Sequence, residues 1–377
     1  MSQFTPRHLL SERSLAVNAS GIRKVFDLAA KMPDPINLSI GQPDFDVPES
    51  IRRAAIEAIQ SRRNGYTITQ GIPQLREKLA AEVKADSGQN LPVLVTSGVS
   101  GGILLALMAT LNPGDEVLIG DPYFVIYKHA VRLVGGTPVF VDTYPDFGFD
   151  PARYEAAVTS RTKVLVIASP SNPTGVVLSE QALRQAAELV ERHNLLLIVD
   201  EIYSRLCFDG PCPSAIQFSP DRTLLLRGFG KSYGMTGWRL GYAAGPQFLI
   251  EEMTKLQQYT FVCAPSIVQY AGVVAMDTDM TAYADEYRKK RDYVHERLAG
   301  SFEVTRPGGG FYFFPRVPAH YANDMDFVEK AIEQNVLIIP GSVFSEKDTH
   351  FRISYATSDD KLARGCDILC DLAGGRG

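Results

Sequence analysis

A chain of 377 residues, 45% hydrophobic and 21% charged, has the length and composition of one large or two moderate globular domains with a substantial core. The formal net charge of −5 is spread without long runs of one sign, so nothing directs the chain to nucleic acid or to an anionic membrane surface. No apolar stretch approaches the roughly 20 residues of a membrane span, and MSQFTPRHLLSERS lacks the apolar core of a secretory signal, so a cytoplasmic location is expected.

Residues 1–35 read as an arm followed by a helix. Ser20 is placed to cap Gly21–Lys31, and Met32-Pro33-Asp34-Pro35 ends it. Ile36–Ile40 is a short strand-like run closed by Gly41-Gln42-Pro43-Asp44. Helices are expected over Pro48–Gln60, with Ile51, Ala55, Ile56 and Ile59 at helical spacing, and over Pro73–Ala85. Between them lies a turn, Asn64-Gly65-Tyr66, that presents an aromatic side chain.

From residue 93 the pattern becomes alternating. Apolar runs at Val93–Val95, Val117–Ile119, Pro138–Val141, Val164–Ala168, Leu195–Val199 and Leu224–Leu226 are mostly separated by helix-length segments such as Gly101–Leu111, Tyr123–Leu133 and Gln181–His193. This is the pattern of right-handed βαβ units around a mostly parallel sheet. A further apolar run follows Arg239. Five cysteines, at 207, 212, 263, 366 and 370, make no zinc-binding spacing with the six histidines and are expected to be reduced and structural. Cys366 and Cys370 are spaced to share a helix face.

In such sheets ligands sit beyond the C-terminal strand ends. The first run ends in Thr96-Ser97-Gly98-Val99-Ser100-Gly101-Gly102, a small-residue loop opening a helix. Free N–H groups there suit a phosphate, although an ordinary N-cap at Ser100 with close packing by Gly101 and Gly102 explains it equally well. The other ends carry Asp121-Pro122-Tyr123-Phe124, Ser171-Asn172-Pro173-Thr174-Gly175, Asp200-Glu201-Ile202-Tyr203, and Lys231 between glycines. Singly, Asn172 is a turn former, Asp200 a cap and Phe124 a core ring. Together they collect polar groups, an aromatic and a lysine along one sheet edge. A lysine just past a buried strand can have its amine desolvated and its pKa lowered, as a Schiff-base lysine requires. Two nucleotide motifs fail here. A P-loop ending in Gly230-Lys231-Ser232 has Leu225 where its first glycine belongs, and a dinucleotide fingerprint beginning at Gly228 has Tyr233 in place of its third.

These residues closely resemble the class I aminotransferases, pyridoxal 5′-phosphate enzymes of fold type I that include the aspartate aminotransferases. The likeness runs from Ile40-Gly41-Gln42-Pro43-Asp44 to Phe351-Arg352-Ile353-Ser354. Its most specific stretches are Asn172-Pro173-Thr174-Gly175, Asp200-Glu201-Ile202-Tyr203 and Lys231 through Met235-Thr236-Gly237-Trp238-Arg239. It implies an α/β fold with a mostly parallel central sheet, helices on both faces and a smaller α+β domain. Residues 41–280 would form the large coenzyme-binding domain, and 1–40 with 281–377 the small one.

The resemblance also implies roles. Lys231 matches the lysine that holds the coenzyme and shuttles the substrate proton, and Asp200 the carboxylate facing the pyridine nitrogen. Tyr203 and Asn172 match donors to the ring's phenolic oxygen, and Phe124 the ring stacked on the coenzyme. Arg239, Val99 and Ser100 match the phosphate site. Tyr66 matches a tyrosine reaching the neighbouring subunit's phosphate, which implies a homodimer. Arg352 matches the arginine for the substrate α-carboxylate, and Gly41 the close backbone approach beside the substrate. The expected reaction moves an amino group from an α-amino acid to a 2-oxo acid in ping-pong fashion. A β-lyase of the same fold uses the same Lys231 and Asp200, and a non-catalytic sensor domain is a further alternative. Gly228 departs from the family, where serine often helps hold the phosphate; Arg227, Ser232 or water are possible substitutes. Lys128, Arg62 and Arg63 are candidate cations for a dicarboxylic substrate, whereas Tyr259, Phe261, Phe311 and Tyr312 hint at neutral or apolar side chains.

Overall fold

The computed structural model describes residues 6–17, 21 and 32–375, so the helix expected over Gly21–Lys31 lies almost wholly outside the described residues. Seven strands form the main sheet: β2 (Val93–Thr96), β3 (Glu116–Asp121), β4 (Thr137–Asp142), β5 (Thr162–Ala168), β6 (Leu196–Asp200), β7 (Thr223–Gly228) and β8 (Gly241–Ala244). Their spatial order is β2-β8-β7-β6-β5-β3-β4. All neighbours are parallel except β8, which runs antiparallel to both β7 and β2. The apolar run after Arg239 is thus a strand inserted between β7 and β2, so Val93–Thr96 has no parallel neighbour among the described residues.

The apolar runs are continuous because the central strands are buried on both faces, and successive side chains serve opposite cores. Ile198, Leu224, Leu226, Val164 and Val166 join one cluster with the helices Gly98–Thr110, Val125–Leu133 and Gln247–Thr260. Leu197, Val199, Leu165 and Ile167 join another against the helix Glu180–Arg192, whose N-cap Ser179 accepts from the Ala182 N–H. Leu225, on the same face as Leu197, packs on the helices Glu49–Gln60, Pro73–Ser87 and Ser266–Ala275.

A separate cluster surrounds two smaller sheets. Strand β1 (Ile36–Asn37) pairs in parallel with β10 (Val336–Leu337), which ties the N-terminal segment to the C-terminal quarter of the chain. Strands β9 (Tyr312–Phe313), β11 (Ile339–Pro340) and β12 (Phe351–Ser354) form an antiparallel sheet in the order β11-β12-β9. Phe302, Phe311, Phe313, Phe327, Phe351 and Tyr355 fill this core. Cys366, in the helix Asp359–Ala373, is buried within it, and Cys370 packs against it one turn later, on the shared face expected.

One cysteine expectation is corrected. Cys207 and Cys212 are paired as a disulfide, their Cα atoms 5.6 Å apart across the turn Phe208-Asp209-Gly210-Pro211. The turn folds the chain back on itself, and spacing alone gave no sign of that.

Candidate active site

The C-terminal ends of β2, β3, β5, β6 and β7 open on one cavity. Val99, Ser100, Phe124, Asn172, Asp200, Tyr203, Lys231 and Arg239 all line it. Six of them come from loops or first helical turns after strands, where a βα unit breaks from period 2 to period 3.6 and exposes its terminal polar groups, while Asp200 ends β6 itself and Arg239 precedes β8.

At the floor, Asp200 is 3% exposed. It accepts 2.8 Å from the Tyr127 hydroxyl and 3.1 Å from the Ile202 N–H, and no cationic side chain pairs with it among the described residues. Burial raises its carboxyl to about 6, opposed by those two hydrogen bonds. A buried carboxylate without a cation is a site that a cationic ring nitrogen would complete.

Lys231 lies in the single helical turn Phe229–Ser232 that follows β7, and its Nζ donates to the Gly41 carbonyl. Burial, then the nearby Arg352 and Arg239, lower its amine from 10.5 to about 8. The amine is therefore unprotonated in a substantial fraction of molecules near neutral to mildly alkaline pH, as a nucleophile requires.

The helix Gly98–Thr110 begins three residues earlier than an N-cap at Ser100 would place it. Ser97 occupies the cap position and makes no side-chain capping bond, and among the described residues no side chain satisfies the first N–H groups. Arg239 stands over this end in the left-handed conformation, φ 56°, with Nη1 donating to the Thr236 carbonyl and no carboxylate paired to it among the described residues. A Cβ at Gly98, where φ is +70°, would lie 2.7 Å from Arg239 Nη2. Uncapped N–H groups beside an unneutralised guanidinium form a cradle suited to a phosphate.

Gly228 is closely enclosed. A Cβ there would meet Ile202 Cδ1 at 2.9 Å, Val99 Cγ2 at 3.1 Å and the Leu240 carbonyl at 3.2 Å. The substitutes considered from sequence are directed elsewhere. Arg227 is buried in an ionic cluster with Glu201 at 2.7 Å, Glu82 at 3.0 Å and Asp86 at 2.6 Å, and Ser232 lines a separate small cleft with Glu82 and Arg205.

Arg352, on β12, is 1% exposed and carries no carboxylate partner among the described residues. Nη1 donates to Asn172 Oδ1 at 3.0 Å and Nη2 to the Ser39 carbonyl at 2.8 Å, while Nε has no partner among the described residues. Asn172 is thus more than a turn former: it joins β5's end to the small antiparallel sheet. Gly41 adjoins the same group through Lys231 and Tyr312.

Tyr66 is not brought into this cavity; it is 87% exposed. Nor do the candidate second cations line it. Lys128 pairs with Glu346 at 2.6 Å, Arg63 covers the Tyr270 ring at 4.4 Å, and Arg62 sits at φ 59° in the turn after the helix Glu49–Gln60. Of the four aromatics, Tyr259 and Phe261 are on the surface, while Phe311 lies 5.9 Å below Lys231 Nζ and Tyr312 is buried beside Tyr203. Sequence reasoning missed Tyr127. Its signal was its spacing, one helical turn beyond Phe124 and on the same face.

With this geometry in hand, the comparisons with known proteins are direct. The family described as aminotransferase class I and II matches residues 33–369. A probable aspartate aminotransferase of Methanocaldococcus jannaschii is 35% identical over 97% of this chain and all of its own length. An aromatic-amino-acid aminotransferase of Thermococcus litoralis is 37% identical over 96% of this chain and 97% of its own. The solved structure of Thermus thermophilus aspartate aminotransferase with maleate superposes at a TM-score of 0.92, with 34% identity over 96% of this chain and 99% of that one. The chain belongs to the class I and II aminotransferase family, and it is an aminotransferase. The mostly parallel sheet with helices and a smaller antiparallel sheet is that family's fold. Among the described residues, no helix is long and apolar enough to cross a membrane.

Proposed function

We propose that this aminotransferase works with pyridoxal 5′-phosphate held at Lys231, transferring the amino group of an α-amino acid to a 2-oxo acid. The observation that carries the reading is Lys231 itself, a lysine amine brought down to about 8 inside a cavity with a cation-less carboxylate at one end and a carboxylate-less arginine over a helix N-terminus at the other. When bound, the coenzyme supplies the electron sink that weakens the substrate Cα–H bond.

The chain's own groups do the rest. Asp200 holds the positive charge of the ring nitrogen, and Tyr127 keeps the carboxylate oriented. Arg239 with the Gly98–Ser100 N–H groups would hold the phosphate, and Phe124 would flank the ring. Tyr203 and Asn172 would supply donors for the phenolic oxygen. Arg352 presents a planar fork to the substrate carboxylate, and, unlike a lysine, cannot compete for the carbonyl carbon. Lys231 would hold the coenzyme and, as an amine lowered to about 8, would be the group able to carry the proton at the substrate Cα.

We place the coenzyme-binding region at 41–280 and the substrate-clasping region at 1–40 with 281–377, a division supported by the β1–β10 pairing and the separate aromatic core. A homodimer with Tyr66 given to the neighbouring site is supported by an exposed apolar face. Tyr66, Ile68, Tyr259, Phe261 and Val262 are all exposed, and the two segments that carry them are tied together where Gln257 and Ser266 bond to the backbone of Thr69 and Arg63.

Replacing Lys231 by alanine tests the function. Loss of both turnover and the bound coenzyme's ordinary visible absorbance is expected. Normal absorbance with sustained turnover would contradict the reading.

A further inference from the structure

Tyr312 is 1% exposed and touches three groups of the proposed site from a strand that belongs to the small sheet. Its ring lies 4.4 Å from Arg352 Cζ, and Phe344 approaches the same guanidinium at 4.5 Å. Its hydroxyl is 3.2 Å from the Tyr203 hydroxyl, with the two rings nearly perpendicular at 86°. That hydroxyl also meets the loop beside Lys231, since a Cβ on Gly41 would stand 2.9 Å from it.

These contacts answer a difficulty in the way Arg352 is held. Among the described residues the guanidinium is buried on neutral oxygens only, Asn172 Oδ1 and the Ser39 carbonyl, and its Nε has no partner. Hydrogen bonds to two neutral acceptors do little to offset the desolvation of a cation, and burial pushes the guanidinium pKa down accordingly. The faces of Tyr312 and Phe344 supply the remaining attraction and restrict the plane of the fork. The hydroxyl has a different partner. Tyr203 is the proposed donor to the coenzyme's phenolic oxygen, and a donor that itself accepts a hydrogen bond is polarised and donates more strongly.

We propose that Tyr312 is a positioning residue with two separable duties: its ring fixes Arg352 for the substrate carboxylate, and its hydroxyl donates to Tyr203 and strengthens Tyr203's bond to the coenzyme. The proposal rests on the coenzyme and residue roles given above. It places the cross-talk between carboxylate binding and coenzyme electronics on one side chain, carried on β9 rather than on the main sheet. Tyr312→Phe removes one duty and Tyr312→Leu both.

The test uses the coenzyme-loaded protein and two readouts, the pH midpoint of the bound coenzyme's visible band and the KM for the best amino donor of a panel. Tyr312→Phe is expected to raise the midpoint by about 0.3–1 pH unit while leaving KM within about twofold. Tyr312→Leu is expected to raise KM about tenfold or more as well. In a Tyr203→Phe background, Tyr312→Phe should shift the midpoint no further, because its effect passes through the missing hydroxyl. An unmoved midpoint in Tyr312→Phe, or an equal shift with and without the Tyr203 hydroxyl, overturns the hydroxyl's duty. A KM in Tyr312→Leu within twofold of Tyr312→Phe overturns the ring's. A wild-type protein without a Lys231-dependent visible band refutes instead the coenzyme reading on which the proposal rests.

Discussion

The Tyr127 hydroxyl donates to Asp200 Oδ2 across 2.8 Å, and this bond and the Ile202 N–H are the carboxylate's only hydrogen bonds from the described residues. Asp200 is therefore oriented but not neutralised. The charge it carries at neutral pH is a cost to the folded chain until a cation arrives.

That cost has a sign and a window. Burial lifts the Asp200 carboxyl from 3.8 to about 6 in the folded chain. The destabilisation is absent below about pH 4, grows between pH 4 and 6, and is complete above, where a carboxyl raised that far costs about 3 kcal/mol at most. Coenzyme-free Asp200→Asn is accordingly expected to melt a few degrees above coenzyme-free wild type at pH 8, with the gap closing as the pH approaches 4.5. Adding pyridoxal phosphate should reverse the ranking at pH 8, because only the carboxylate can hold a cationic ring nitrogen. A melting difference that is the same at both pH values, or asparagine melting lower throughout, would show that Asp200 carries no such strain.

Gly228 leads to a paired expectation. Serine at this position meets Ile202, Val99 and the Leu240 carbonyl at 2.9–3.2 Å, and a carbonyl on β8's approach cannot yield cheaply. Gly228→Ser alone is expected to weaken coenzyme retention about threefold to tenfold. Combined with Ile202→Ala, which removes the nearest atom, it is expected to recover wild-type retention or exceed it, since the hydroxyl then has room to reach a phosphate oxygen. Equilibrium dialysis of the coenzyme decides it. A tight-binding single variant would mean that the enclosure around Gly228 is looser than its contacts indicate.

The exposed Tyr66 makes the dimer testable by complementation. A Tyr66→Ala subunit keeps Lys231, and a Lys231→Ala subunit keeps Tyr66, so a hybrid dimer contains one complete site and one doubly defective site. Equimolar exchange is expected to yield about a quarter of wild-type activity, well above the mean of the two parents. Activity no greater than that mean would confine each site to a single chain.

Much of this was legible in the sequence, and for a reason. Asp200, Asn172 and Lys231 each lie at or just past the end of a strand built on a continuous apolar run, and the change from apolar run to polar turn marks where a parallel sheet opens to ligand. The residues that escaped notice are those whose partners are distant in the chain. Tyr127 reads as one more position on an amphipathic helix until β6 places Asp200 against it, 73 residues on. Tyr312 reads only as an aromatic that hints at apolar substrate side chains, and its place under Arg352 depends on the β12–β9 register, Ser354 beside Tyr312. The run at Gly241–Ala244 reads as an ordinary strand, and its antiparallel insertion between β7 and β2 depends on pairing that no local pattern encodes. The Cys207–Cys212 pair depends likewise on how one turn folds back.

The central claim is that Lys231 is the attachment point of the coenzyme. Reduction of the loaded enzyme with borohydride, followed by proteolysis and mass spectrometry, tests it most directly. The account predicts one phosphopyridoxyl group per chain, on the peptide that contains Lys231. A label on any other lysine, or no label on a protein that turns over, would contradict it.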